Sequence, residues 1–548
     1  MDVNRAVIER LTSNGIDTMF GIPGKQTLPL NEAIGTRDDI RFVVARHETA
    51  VSHQAWGYAE TSGTPAATAV VPGPGDMNAM NGLKNALNDC TPLVHIAVET
   101  EPEVRGGGGI HETPPETYDT VVKENLLVER PESTAAIVEE AIAIAETPPK
   151  GPVRIGIPKN FLTMDVPLAT PGEYNREYVE GAAESDIEAA ATLLAEATTP
   201  VILAGGGVRA ANASDSLRRL ADRLEAPVVT TYKGKGVLPD DPDGYVAGTL
   251  SGSASPELLD CLATADAALA VGTDFDAVAT RTWSVELPDD LVHVTLDADD
   301  LGNGYDPTVG IIADAGVALS ELEAALADRP IRASDGTERA MAVREATSDR
   351  LDELRGSSPP LTSVSALESV RDAIPQDTVV SVDAGGFRVW ALNVFAAAGP
   401  RSYVNPGSWA TMGTGLPAGI GAQLANPDDD VVVLTGDGGL MMCIHELHTA
   451  VAENVPITVV VFTNEDYAII SDQAGRDYDL SDREYNWSDA PISFTSLAES
   501  MGMRSECVED PDEIRSTVGS AAVADEPVLV QIPTDPSEPQ ASDWMRTD

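Results

Sequence analysis

The sequence predicts an α/β fold built as three successive parallel-sheet domains. Three observations predict it. Short runs rich in Val, Ile and Ala alternate with segments of helical periodicity along most of the chain, the pattern of βαβ units. At 548 residues and 43% hydrophobic composition, the chain holds more apolar material than one core organises. Polar, charged stretches interrupt the alternation twice and divide the chain at 1–165, 185–330 and 360–540, each an ordinary domain size.

In the first block, strands are expected at Phe42–Ala45, Ala67–Val71, Leu93–Val98 and Val153–Ile157. A polar stretch with Pro and Gly, Asp165 to Glu184, closes it. The second block starts near Ile187, with strands at Val201–Ala204, Val228–Thr230, Ala267–Val271 and Leu291–Leu296. The charged segment from Asp328 to Pro360 reads as a helix that runs into a linker. Strands at Val379–Val382, Val431–Leu434, Ile457–Phe462 and Val528–Ile532 make the third block.

The net charge is −53, and lysine occurs only at 25, 84, 123, 150, 159, 233 and 235. The acids are spread along the chain, as at Asp240-Asp241 and Asp428-Asp429-Asp430, which reads as a solvated surface. Such a charge argues against nucleic acid and anionic membranes as partners and suits a cytosol of very high salt. The four cysteines form no CxxC pair, so neither a disulfide framework nor a zinc site is expected. No 18-residue apolar run and no apolar signal core occurs, and a cytoplasmic protein is the expectation.

The strongest local signal lies in the third block. The buried strand Val431-Val432-Val433-Leu434 runs into Thr435-Gly436-Asp437-Gly438-Gly439, and a helical pattern follows. A Gly-rich strand-to-helix turn exposes backbone N–H groups to a phosphate. Asp437 beside a phosphate would repel it unless a cation sits between, and Mg²⁺ suits that place. One helix and one strand later, Asn464 ends the neighbouring strand, at the edge where open α/β sheets bind ligands.

This pairing resembles the diphosphate–magnesium motif of thiamine diphosphate enzymes. The resemblance extends through Phe20-Gly21-Ile22-Pro23-Gly24, Arg46-His47-Glu48, Trp56-Gly57-Tyr58-Ala59, Pro72-Gly73-Pro74-Gly75, Leu203-Ala204-Gly205-Gly206-Gly207 and Thr411-Met412-Gly413-Thr414-Gly415, in family order. Within the family, the chain is most similar to acetolactate synthase large subunits. The resemblance implies pyrimidine-binding, central and diphosphate-binding domains. It implies a metal held by Asp437, Asn464 and the carbonyl of Asp466. It implies cofactor contacts at Glu48, Gly73, Gly385, Ala410, Met412, Gly436, Gly438 and Gly439. Glu48 would bond the cofactor's ring nitrogen from a poorly hydrated site; Met412 would support the bent cofactor. His111, after the glycines at 106–109, falls where some members carry a catalytic His, and would handle a proton. Lys123 matches a lysine near the site entrance.

The implied reaction is decarboxylation of a 2-oxo acid, with protonation or carboligation of what remains. The implied assembly is a homodimer or homotetramer with sites between subunits, and a regulatory subunit is compatible with it. The pattern also breaks. Val278 stands where synthases place an Arg for the acceptor carboxylate, and Gln473 where they carry a Trp. Gly248-Thr249-Leu250-Ser251-Gly252 replaces a flavin-associated Gly-Met-His-Gly, so FAD stays open. Gly385-Gly386-Phe387 replaces Gly-Gln-His. A genuine acetolactate synthase with a diverged acceptor site, and a non-catalytic cofactor-binding paralogue, are the competing readings. His445-Glu446-Leu447-His448 has the wrong spacing for a zinc motif.

Overall fold

A computed structural model describes residues 2–167, 181–478, 480 and 485–546. Most of the polar stretch read at 165–184 therefore lies outside the described residues. Each block folds into a six-stranded, all-parallel sheet. Continuous apolar runs are what sheets covered by helices on both faces require.

The first sheet comprises β1 (Thr18–Gly21), β2 (Arg41–Val44), β3 (Ala66–Val70), β4 (Leu93–Glu99), β5 (Glu124–Leu127) and β6 (Pro152–Pro158), in the order β2-β1-β3-β4-β6-β5. The second comprises β7 (Pro200–Ala204), β8 (Val228–Thr230), β9 (Val246–Thr249), β10 (Ala267–Val271), β11 (Leu291–Thr295) and β12 (Val309–Ile312), ordered β12-β11-β10-β7-β8-β9. The third comprises β13 (Val379–Val382), β14 (Tyr403–Val404), β15 (Val431–Gly436), β16 (Ile457–Thr463), β17 (Arg504–Cys507) and β18 (Val528–Pro533), ordered β14-β13-β15-β16-β18-β17. The outer sheets thus share one connectivity. The central sheet has the order of dinucleotide-binding folds, with its switch point between β7 and β10.

Helix Gly336–Arg350 occupies the charged segment after the central sheet, as its composition predicts. The first and third sheets meet through helices Glu48–Ser62 and Gly415–Ala425, whose backbones touch. A Cβ at Gly57 would run into the Ala418 carbonyl, and one at Gly421 into the Gln54 carbonyl. A buried ionic cluster ties in the central domain. Glu60 accepts from Arg209 at 2.7 Å and from Lys233 at 2.9 Å, and Lys233 also reaches Asp89 at 3.1 Å. Among the described residues, no helix is long and apolar enough to cross a membrane.

Candidate functional site

Parallel register between β15 and β16 pairs Gly436 with Phe462, so both strands deliver their following turns to one edge. There the Asp437 carboxylate accepts the N–H groups of Asn464 at 3.1 Å, Glu465 at 2.7 Å and Gly438 at 2.8 Å. Asn464 Oδ1 in turn accepts the Asp466 N–H at 3.3 Å. Burial lifts the Asp437 carboxyl to about 6, against the pull of these N–H donors. The turn gathers carboxylate, amide and main-chain oxygens, the donor set a hard cation takes. Among the described residues, no three or more His, Cys, Asp or Glu side chains are grouped to hold a metal ion.

The glycines around Asp437 are closely approached. A Cβ on Gly438 would sit 2.8 Å from the Tyr467 ring and 3.3 Å from Met412 Cε; one on Gly439 would sit 2.5 Å from Asp383 Oδ2. Gly436 has only ordinary contact distances to Phe387. Met412 therefore packs against the glycine turn that follows Asp437. Its loop is kinked, with Ala410 at φ 44° and Gly413 at φ 83°. A left-handed alanine is held only where its surroundings enforce it.

Asp383, at the end of β13, supplies that enforcement, and sequence reasoning missed it. Fully buried, it accepts the N–H groups of Gly413 at 2.9 Å, Thr414 at 3.1 Å and Ala384 at 2.8 Å, and the Thr435 hydroxyl at 2.9 Å. Burial raises its carboxyl to about 6. The signal available was an acid ending an apolar strand immediately before Ala384-Gly385-Gly386.

The first domain carries a separate cluster. Glu48 opens helix Glu48–Ser62, half-buried, and accepts from Asn78 Nδ2 at 3.0 Å. Its Oε1 lies 3.2 Å from where a Gly75 Cβ would be. Gly73, at φ 63°, lies under the His111 carbonyl, which a Cβ there would strike. The His111 side chain is exposed and its φ is 63°. The glycine loop before it is organised: the N–H groups of Gly106, Gly108 and Gly109 converge on the Glu112 carboxylate. Glu48, Gly73 and His111 thus group together on one sheet's edge, and the Asp437–Asn464 turn with Met412 on another's.

Between the domains lies a cavity of about 630 Å³. Gly385, Ala410 and Met412 line it from the third domain, Gly206, Gly207 and Gly272 from the switch point of the central sheet, and Asp89 and Lys150 from the first domain. Glu48 is not part of its lining. Val278 sits at the rim, 63% exposed. Gln473 is exposed and donates to Asp477 at 3.2 Å.

Two side chains named from the sequence hold backbone in place. The Lys123 ammonium, read as lying near a site entrance, donates to the Ile144 and Thr147 carbonyls at 2.8 and 2.5 Å. It caps the C-terminus of helix Thr134–Glu146, a role basic side chains commonly take. In the rejected His–Glu–Leu–His stretch, Glu446 is fully buried. It accepts the N–H groups of Arg46 at 2.9 Å and His47 at 3.1 Å, and so anchors the turn that presents Glu48.

Comparison with known proteins agrees with this layout. Residues 1–120 match the N-terminal TPP binding domain of thiamine pyrophosphate enzymes, 187–322 their central domain and 383–532 their C-terminal TPP binding domain. A probable acetolactate synthase large subunit of Methanocaldococcus jannaschii is 30% identical over 97% of this chain and 92% of its own length. Acetolactate synthase isozyme 1 large subunit of Escherichia coli is 28% identical, over 97% of this chain and 94% of its own. A probable 2-ketoarginine decarboxylase of Pseudomonas aeruginosa is 33% identical over 86% and 84%. Three parallel sheets in the family's order and full-length similarity lead to one conclusion: the chain belongs to the thiamine pyrophosphate enzymes, as an acetolactate synthase-like enzyme of the carboligase and decarboxylase kind.

Proposed function

We propose that the chain decarboxylates a 2-oxo acid with thiamine diphosphate and Mg²⁺, and couples the remaining acyl carbon to a second carbonyl. The observation that carries this reading is the Asp437–Asn464 turn with Met412 packed against it. A buried carboxylate facing a glycine turn gains most from a divalent ion shared with a diphosphate. Asp437, Asn464 and the Asp466 carbonyl would hold the metal. Backbone at Gly436, Gly438, Gly439 and Gly385 would receive the diphosphate, and Ala410 and Gly73 would border the rings. Thiamine diphosphate, when bound, supplies the carbanion-stabilising chemistry that the side chains lack.

The chain's own residues orient and move protons. Glu48 would hold a proton at the pyrimidine nitrogen, and the Glu446 carboxyl keeps its turn in place. Met412, fixed through Asp383, would set the angle between the rings. In the reaction, the bond from the carbonyl carbon to the donor carboxylate breaks and CO₂ leaves. The electron pair left on that carbon is either protonated, giving an aldehyde, or forms a bond to a second 2-oxo acid's carbonyl carbon. Either path takes up one proton, which His111 would deliver from its loop.

Met412 lines the interdomain cavity and Glu48 does not, which supports a site completed by a second copy, hence a homodimer or homotetramer. So do the side chains left exposed beside the turn, Met441 at 41% and Met442 at 50%. A regulatory subunit is compatible with the relatives that are named large subunits. Four free cysteines accord with a cytoplasmic setting. At the switch point, Gly206-Gly207 could take a dinucleotide phosphate and Asp297 ribose hydroxyls. A flavin there would make the purified protein yellow.

The test is to incubate protein, Mg²⁺ and thiamine diphosphate with pyruvate and to quantify acetolactate, acetaldehyde and CO₂. Acetolactate is the expected main product. Aldehyde and CO₂ alone, or turnover only of a bulkier 2-oxo acid, would favour a decarboxylase, the reading the 2-ketoarginine decarboxylase similarity favours. No CO₂ from any 2-oxo acid would overturn the proposal.

A further inference from the structure

Helix Gly386–Val394 begins immediately after Gly385, and Arg388 lies in its first turn. Its side chain is 6% exposed and lines the interdomain cavity beside Gly385, Ala410 and Met412. One nitrogen, Nη2, donates to the Pro406 carbonyl at 2.6 Å. The guanidinium stacks over the Tyr232 ring, 5.0 Å from its centroid. Its Nε is buried without a partner.

Among the described residues, no carboxylate lies within ion-pair distance of Arg388. Of the acids in the same space, Asp89 is engaged by Lys233 at 3.1 Å and by the Gly407 N–H at 3.2 Å. Asp383 faces the Gly413 and Thr414 backbone. The remaining acids of the lining, such as Asp274, Asp276 and Asp297, stand at the strand ends of the central sheet. Burial pulls the guanidinium's pKa down from its ordinary value, yet arginine stays charged. A buried charge without a partner is costly, and buried guanidinium groups are as a rule paired. The side chain borders a cavity large enough for a small substrate.

We propose that Arg388 binds the carboxylate of the acceptor 2-oxo acid. This deepens the carboligase reading and rests on it. The choice of carboxylate follows from the reaction. The donor carboxylate must leave as CO₂, and a strong ion pair to it would stabilise the ground state and slow its departure. The acceptor carboxylate survives into the product, so a planar fork can hold it from encounter to release. Of the other candidates on the lining, Val278 cannot serve an anion, Lys150 donates to the Ala210 carbonyl at 3.3 Å, and Lys233 is paired with Glu60 and Asp89.

The test uses the full-length holoenzyme, the R388M and R388K variants, and two readouts. With pyruvate and cofactors, R388M is expected to keep CO₂ release within about threefold while coupled product falls on the order of tenfold to a hundredfold, with acetaldehyde making up the difference. R388K should fall between. An unchanged ratio of coupled product to aldehyde in R388M would overturn the proposal. The second readout needs no turnover. Cofactor-free protein is titrated with 2-oxobutyrate, and separately with inorganic phosphate and ADP, while melting temperature is followed. Wild type should be stabilised by 2-oxobutyrate, and R388M, folded and with unchanged melting temperature in the absence of anion, should not. Equal stabilisation of both proteins, or an Arg388-dependent response to phosphate or ADP but not to 2-oxobutyrate, would overturn the carboxylate assignment. A wild type that binds 2-oxobutyrate through Arg388 yet releases no CO₂ would leave the binding assignment standing and fail the catalytic reading alone.

Discussion

Glu446 does at the residue scale what a carboxyl group seldom does in so acidic a chain: it is enclosed. Besides the Arg46 and His47 N–H groups, it accepts from Gln54 Nε2 at 3.1 Å and from the Thr449 hydroxyl at 2.6 Å. Burial raises its carboxyl from an ordinary 4.5 to about 7. Because the folded value is the higher one, its contribution to stability is complete below about 4.5 and lost as pH rises through about 7. The span corresponds to roughly 3 kcal/mol at most. The melting temperature of wild type minus that of E446Q should therefore fall between pH 4.5 and 8; a flat difference would mean that the carboxyl titrates normally. The same residue explains what the sequence leaves illegible. Asp437 could be read because glycines flank it at the end of an apolar strand. Glu446 and Asp383 do equally specific work, yet among 88 acids nothing local separates a buried one from a solvated one. Their role depends on backbone N–H groups that only the fold brings together.

Among the elements, the contact between helices Glu48–Ser62 and Gly415–Ala425 depends on two glycines at the crossing. Gly421→Ala would place a methyl group inside the Gln54 carbonyl, and Gly57→Ala one inside that of Ala418. Neither backbone can yield without separating the first and third sheets. Each substitution is expected to cost about 1–3 kcal/mol or more, read as a lower midpoint in urea. Gly475→Ala, inside helix Ala468–Tyr478 with no atom near its Cβ, should raise the midpoint slightly and serves as the control. Long strands with both faces covered were legible, because a run such as Val431–Leu434 then has no polar alternation. Six strands are absent from the sequence reading; five of them (β5, β9, β12, β14 and β17) lie at sheet edges, while the sixth, β1, is interior and buried but only four residues long and ends in glycine. β17, with the sequence Arg504-Ser505-Glu506-Cys507, is largely exposed, and its pattern is that of a loop. Edge strands are short and carry polar residues because one side faces no partner strand.

Over the whole molecule, a net charge of −53 opposes compaction wherever the medium does not screen it. Between 0.1 and 1 M salt the screening length shrinks from about 10 Å to about 3 Å. The melting temperature should rise by several degrees across that range, and a fall would show that surface ion pairs outweigh the repulsion. The Glu60–Arg209–Lys233–Asp89 cluster is shielded from solvent, so this junction should hold at either extreme. The outer sheets carry a further consequence. No repeat is visible in the sequence, yet both run in the same strand order, one presenting Glu48 and the other Asp437. Two copies of one ancestral domain, joined by duplication and then divided in labour, would leave this arrangement. On that history the three-domain chain is itself an old pair of like partners, fused around a nucleotide-binding-type insert.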